Sequence, residues 1–247
     1  MLTLVLAGAI ASLASISQAV TGFGFALVLV PLLSLVYEPK LVVLISLSLG
    51  LACKLPLLAQ TWRQVQPARI APLCLAAIAG TLFGVRLLLL ASGPALQLGI
   101  GLVVVVLASA MLPNWSRPVK RESLAMWGIG FLSGLLTGST SMGGPPVVLL
   151  GVNQAWEKDG FRANLLAFFM VSNVATLLSL WLAGALSVGM LRLDALLLPA
   201  VLLGVVIGNA IFKALPAEQF RRLVVLLVIA SGALSAWTGA SRLLGGG

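Results

Sequence analysis

The chain has no histidine, one tyrosine, two cysteines and only six acidic residues among 247. Each shortage removes a class of chemistry. Without histidine there is no imidazole to ligate a metal or to activate a serine or cysteine nucleophile. Cys53 and Cys74 fall inside apolar runs with no CxxC, so they read as small buried residues, not as a disulfide framework or a metal site. The acids Glu38, Glu122, Glu157, Asp159, Asp194 and Glu218 all lie in loops or at the edges of apolar runs. None is expected mid-span, so neither a proton relay nor a cation site built on membrane carboxylates is expected. A GxxxxGK[ST] loop is missing, as is any hydrophilic stretch long enough for an extramembrane domain. Direct ATP drive would need a partner subunit, and no cofactor or metal is implied.

Apolar residues make up 60% of the chain, charged residues 9%, and the mean hydropathy is +1.15. So much apolar surface points to lipid as the solvent. The net charge of +9 comes from basic residues scattered over short loops. They form no basic face, so orientation in a bilayer is expected of them and nucleic acid is not an expected partner. The absence of Lys and Arg before Lys40 argues against a secretory signal, so the first apolar run is expected to be retained.

Ten apolar runs cover about 2–20, 23–36, 41–59, 70–90, 95–112, 124–137, 145–153, 163–183, 195–212 and 223–238. Six approach the roughly 20 residues a crossing needs: those starting at Leu41, Ile70, Ala95, Ala163, Ala195 and Leu223. The run 2–20 is ambiguous. Trp62, Trp115, Trp127, Trp156, Trp181 and Trp237 fall near run ends and read as interfacial anchors.

Two runs are interrupted. Residues 134–150, GLLTGSTSMGGPPVVLL, dissolve into Gly138, Ser139, Thr140, Ser141, Gly143 and Gly144 and restart at Pro145-Pro146. Pro suits a first helical turn because its missing N–H has no intrahelical partner there. A weaker copy, TGFGFALVLVPLL, occupies 21–33. In lipid such breaks are tolerated only within protein or along a cavity. A shift of about 120 residues lays Gly24 on Gly144, and a slightly larger one lays Gly80 and Gly84 on Gly204 and Gly208. These last pairs have the small-xxx-small spacing of close helix contacts.

The expected fold is therefore all-α, a polytopic transmembrane helix bundle forming a single membrane domain over 1–247. Two inverted repeats, 1–113 and 123–247, are joined by a cytoplasmic linker, 114–122. Each is a Gly-broken re-entrant or short-helix hairpin plus three transmembrane helices. Basic residues choose this topology: with hairpins ten fall on one side and four on the other, whereas single broken crossings divide them seven and seven. Both termini then face outward.

Open helix N-termini without mid-span carboxylates point to a small anion, met by first-turn N–H groups at 145–148 and around 25–28. A sodium site of carbonyls and hydroxyls is left open. The candidate substrate-binding residues are Thr21, Gly22, Gly24, Gly138, Ser139, Thr140, Ser141, Gly143, Gly144 and Pro145, with Lys54 and Asn173. Lys54 has two readings: a stem that snorkels to the cytoplasmic interface, which is favoured, or an inward-facing counter-charge. Asn173 reads equally as glue between helices or as a substrate contact. The hydroxyls of 139–141 have a plainer role too, satisfying a frayed helix end.

Gly22-Phe23-Gly24 running to Pro31-Leu32-Leu33, together with residues 137–150, resembles the TauE/SafE family of membrane permeases, the four-toluene sulfonate uptake permeases. The resemblance spans the whole chain. It implies a bacterial inner-membrane, multi-pass carrier for sulfite, an organosulfonate or another sulfur-containing anion, with Gly22, Gly24, Gly138, Gly143, Gly144 and Pro145 at the site. Phe23 and Phe25 beside the first break would suit a substrate with a short organic part.

The leading expectation is a secondary transporter working by alternating access, with the lipid bilayer and a small anionic substrate as partners. A coupling ion, proton or sodium, and a homo-oligomer are left open. The alternatives are an anion channel using the same residues and an intramembrane hydrolase using Ser139 or Ser141 with Lys54 as base.

Overall fold

The computed structural model describes residues 2–110, 121–154, 156–214, 229 and 232–244. Most of the linker 114–122 therefore lies outside the described residues, as do Trp115, Arg117, Lys120, Glu218, Arg221 and Arg222. The described chain is helical throughout: α1 (Leu2–Thr21), α2 (Phe25–Leu33), α3 (Pro39–Thr61), α4 (Pro67–Leu90), α5 (Gly93–Ala110), α6 (Glu122–Thr140), α7 (Gly144–Asn153), α8 (Lys158–Leu182) and α9 (Val188–Ala214). A 3₁₀ turn, Trp62–Gln64, closes α3, and residues 232–244, here α10, are helical again.

Five helices are long and apolar enough to cross a bilayer: Leu2–Thr21, Pro39–Gln64, Pro67–Leu90, Gly160–Leu182 and Val188–Ile211. The run 2–20 is thus a full-length helix. The run from Ala95 forms α5, helical from Gly93 to Ala110, where the described residues pause. The run 223–238 is described only in part. Helices α2 and α7, at 9 and 10 residues, are too short to cross alone. The protein is a polytopic membrane protein.

Local chemistry sets most helix starts. Prolines occupy the first turns of α3, α4 and α7, where a missing N–H costs nothing. Ser187 caps α9, its hydroxyl accepting from Met190 N at 3.2 Å. That cap places the start of α9 seven residues before the apolar run at Ala195.

Two parallel helix pairs flank a central layer. In the first, α4 packs on α6 with backbones nearly touching: a Cβ at Gly80 would collide with Phe131 O, one at Gly134 with Ala77 O, and one at Gly138 would lie 2.7 Å from Thr81 O. In the second, α9 packs on α1: a Cβ at Gly204 would lie 2.5 Å from Ser12 O and one at Gly208 3.0 Å from Ile16 Cα. Ser12 Oγ also donates to Ala200 O at 2.7 Å. The short helices α2 and α7 pack beside α3 and α8, with Phe25, Leu29, Ile45, Leu47 and Phe168 fully buried. Between α3 and α8 the bonds Gln66 N to Asn164 Oδ1 and Asn173 Nδ2 to Leu47 O run in opposite chain order, so the two helices are antiparallel.

One end of the bundle gathers Arg69 and Glu122, an ion pair at 3.0 Å. Trp156 joins it, donating to Glu122 at 3.0 Å with its ring under the Arg69 guanidinium at 4.8 Å. Trp156 is buried, so it clamps α4, α6 and the α7–α8 turn and is not a lipid-facing anchor as expected. Trp62, Trp127, Trp181 and Trp237 are exposed. At the opposite end Lys40 donates to Leu89 O at 3.0 Å, and Arg242 to Gln97 at 3.1 Å.

The α4–α6 contact is a stringent test of this packing. Gly134→Ala should destabilise the protein by about 1–3 kcal/mol through backbone overpacking, read as a lower melting temperature in detergent. Gly128→Ala, where an added Cβ meets nothing within 4 Å, should leave melting unchanged.

Candidate functional site

Both breaks converge on one cavity of about 30 Å³, room for roughly two waters. Of the expected residues, Gly24, Lys54, Ser141, Gly143, Gly144 and Asn173 line it, joined by Gln18, Phe23, Phe25, Ser46, Thr137 and Phe169. Thr21, Gly22, Gly138, Ser139, Thr140 and Pro145 do not line it. Each of these has another contact or task, apart from Pro145, which is a buried residue in the first turn of α7.

Backbone demands explain the division. Gly22 and Gly24 adopt φ of 80° and 109°, the left-handed region that favours glycine. Gln18, buried in α1, spans that turn: its Nε2 donates to Gly22 O at 2.9 Å and its Oε1 accepts from Phe25 N at 3.2 Å. Thr21 Oγ1 lies 2.7 Å from Ser17 O and also contacts Phe23 O. Arg162, from α8, donates to Ala19 O at 2.8 Å at the C-terminal end of α1. Gly138 belongs to the α4–α6 contact.

At the second break the hydroxyls of α6 turn back onto nearby backbone. Thr137, Ser139 and Thr140 donate to Ser133 O, Leu135 O and Leu136 O, each at 2.8 Å, and Ser133 Oγ donates to Gly143 O. Ser139 and Thr140 thus bond back along α6, and neither lines the cavity. Ser141 ends α6 with φ 64° and turns its hydroxyl to Ser46 Oγ of α3 at 3.0 Å. A Cβ at Gly143 would overlap Thr137 Oγ1 and Ser133 O, whereas one at Gly144 would lie 3.5 Å from Phe169 Cζ, an ordinary contact.

Two expectations about donors need correction. Pro145 and Pro146 carry no N–H, so the first turn of α7 offers fewer donors than the span 145–148 suggested. At α2, Phe25 N is already bonded to Gln18. What remains at both ends is the positive end of the helix dipole.

Lys54 does not snorkel. It is only 6% exposed, and its ammonium donates back along α3 to Gly50 O at 3.1 Å, 6.0 Å from the Phe169 ring centroid. A helical side chain leans toward its own N-terminus, here away from the cytoplasmic end that snorkelling required. Among the described residues the ion pair is Arg69–Glu122, so no carboxylate reaches Lys54. Asn173 ties α8 to α3 through Leu47 O at 3.1 Å, the glue expected of it, and also lines the cavity. The Ser/Lys hydrolase arrangement does not form, since Ser139, Ser141 and Lys54 are each bonded elsewhere.

The sulfite exporter TauE/SafE family model matches residues 6–234. The chain belongs to that family. It is also 30% identical over 241 residues to a "Probable sulfite/organosulfonate exporter TauE" of Cupriavidus necator, covering 89% of this chain and 91% of that protein. No solved structure matches the chain. Membership makes it a membrane transporter and not an enzyme.

Gln18, Ser46, Ser133, Thr137 and Phe169 were missed by sequence reasoning. Gln18 left one signal, an amide in an apolar helix seven residues before the restart at Phe25. Gly143→Ala should lower the melting temperature in detergent, by about 1–3 kcal/mol of stability, while Gly144→Ala should melt like the parent. Equal melting of the two variants would contradict the geometry at the second break.

Proposed function

We propose that the protein is a secondary transporter of a small sulfur-containing anion, sulfite or a short organosulfonate. The observation that carries this reading is the buried Lys54 ammonium in the cavity where the two breaks meet. A desolvated lysine without a carboxylate partner is costly, and an anion seated beside it offsets that cost. The α2 and α7 helix ends add positive potential from two directions. The Lys54 ammonium lining the same cavity disfavours a sodium ion there. The named relative, described as a probable sulfite/organosulfonate exporter, points the same way.

The six expected residues that line the cavity, with Gln18 and Ser46, form the proposed binding site. Phe23, Phe25 and Phe169 close its sides. The cavity as it stands favours sulfite or a compact sulfonate, and an aromatic sulfonate would have to push these rings aside.

Several features support two inverted repeats. Each break-bearing helix packs in parallel on a long helix of the other half, α1 on α9 and α6 on α4, and Gly80 and Gly84 play the part that Gly204 and Gly208 play. The antiparallel pair α3–α8 lies between them. Arg63, Arg69 and Arg121 fall toward the Glu122 end and Lys40, Arg86, Arg192 and Arg242 toward the other, which fits the ten-to-four orientation in a bacterial inner membrane. Rocking one half against the other about α3 and α8 would open the cavity alternately to each side.

A thermal-shift screen of the purified protein at fixed ionic strength tests the reading, because a ligand that binds only the folded state raises its melting temperature. Sulfite or a compact sulfonate should stabilise, and an aromatic sulfonate should not. Lys54→Gln should weaken the response about ten- to a hundredfold in affinity, the loss of a charge-assisted bond. Unchanged affinity in that variant would remove Lys54 from the site.

A further inference from the structure

Asp194 occupies a position that its place beside an apolar run concealed. Because Ser187 caps α9, Asp194 lies within the helix Val188–Ile211, one of the five long enough to cross. Its partner Ser48 sits in α3, about 14 Å of helix rise from Pro39. Ser48 Oγ and Asp194 Oδ2 are 2.6 Å apart. The other carboxyl oxygen, Oδ1, is shielded from solvent and has no hydrogen-bond partner among the described residues.

Ser48 Oγ also lies 3.2 Å from Leu44 O and 3.1 Å from Ile45 O. A hydroxyl has one proton and two lone pairs, so it cannot donate to all three acceptors at once. With Asp194 ionised, Ser48 donates to Oδ2. With Asp194 protonated, Oδ2–H donates to Ser48, whose own proton turns to Leu44 O or Ile45 O. Both states leave the 2.6 Å contact as a good hydrogen bond.

Among the described residues, the surroundings contain little else that could compete. Helix α1, packed on α9, carries no titratable side chain. On α3, Lys40 is bonded to Leu89 O, while Cys53 and Lys54 lie five and six residues beyond Ser48, about 8–9 Å along the axis. On α9 itself Arg192 is exposed. Two residues before Ser48, Ser46 bonds Ser141 of the second break at 3.0 Å, so a single stretch of α3 touches both the carboxyl and the cavity.

From this geometry we propose that Asp194, with Ser48 as a reversible donor or acceptor, is the proton-binding site that couples transport to the proton gradient. The coupling part rests on the anion-transport reading above. Protonation converts the carboxylate to the neutral acid at Oδ2 and reverses the direction of the Asp194–Ser48 bond. Deprotonation returns the proton to the other aqueous side after the halves have rocked. Sequence placed Asp194 at the edge of an apolar run; in the structure it lies six residues inside α9.

Infrared difference spectra of the reconstituted protein between acidic and alkaline pH report a carboxylic acid band without any substrate. The band should be lost in Asp194→Asn and shifted in Ser48→Ala. Where the Asn variant does not fold, the Ser48→Ala shift alone decides. Spectra unchanged by both substitutions, or by Ser48→Ala where only that variant folds, overturn the proposal. In proteoliposomes, an imposed proton gradient should drive sulfite accumulation, and Asp194→Asn should lose that drive while keeping anion-for-anion exchange. Accumulation driven by sodium with no response to protons also overturns it. A carboxyl band that behaves as expected without any sulfite flux upholds the titration of Asp194 and overturns the substrate reading instead.

Discussion

Interrupting a helix inside a membrane protein exposes backbone N–H and C=O groups that lipid cannot satisfy. Side chains meet part of this demand at both breaks. Gln18 bridges the first turn from Gly22 O to Phe25 N. Thr137, Ser139 and Thr140 fold back onto carbonyls of α6, and Ser133 reaches across to Gly143 O. The Lys54 ammonium and the N-terminal ends of α2 and α7 give the cavity between the breaks its positive character.

Close packing of the flanking helices fixes where the breaks meet. Gly80, Gly134 and Gly138 let α4 and α6 approach backbone to backbone, and Gly204 and Gly208 do the same for α9 against α1. With no hydrophobic driving force between helices in lipid, such van der Waals contact and the Ser12–Ala200 bond are what hold the pairs. Gly138, grouped with the site on sequence grounds, belongs to this packing. Glycines near a membrane site serve two purposes, and only three-dimensional neighbours separate them.

Much of the fold was legible because composition and the Gly-Pro punctuation are local signals. The breaks at 21–25 and 138–146 and the correspondence of Gly80 and Gly84 with Gly204 and Gly208 are all written in short stretches of sequence. Facing was not. A helix surrounded by lipid and protein is apolar on every side, so the amphipathic stripe that orients a soluble helix is missing. That is why Lys54 could be placed in a span but not turned inward, and why Ser46 and Ser48 carried no signal. Asp194 was misplaced for a different reason: hydropathy begins the run at Ala195, whereas the Ser187 cap begins the helix at Val188.

Size and charge together narrow what the cavity can hold. A cation would face an ammonium and two positive helix ends, so its entry would add like charge to a desolvated site. A large neutral solute would leave Lys54 without a counter-charge and would exceed a cavity of about 30 Å³. A compact anion meets both conditions, since its charge offsets the buried lysine and its volume suits the space between Phe23, Phe25 and Phe169. Binding would also bridge α3, which carries Lys54 and Ser46, to the α6–α7 turn, which carries Ser141 and Gly144. On the proposed reading, occupancy would change the contact between α3 and the α6–α7 turn, the differential interaction that alternating access requires.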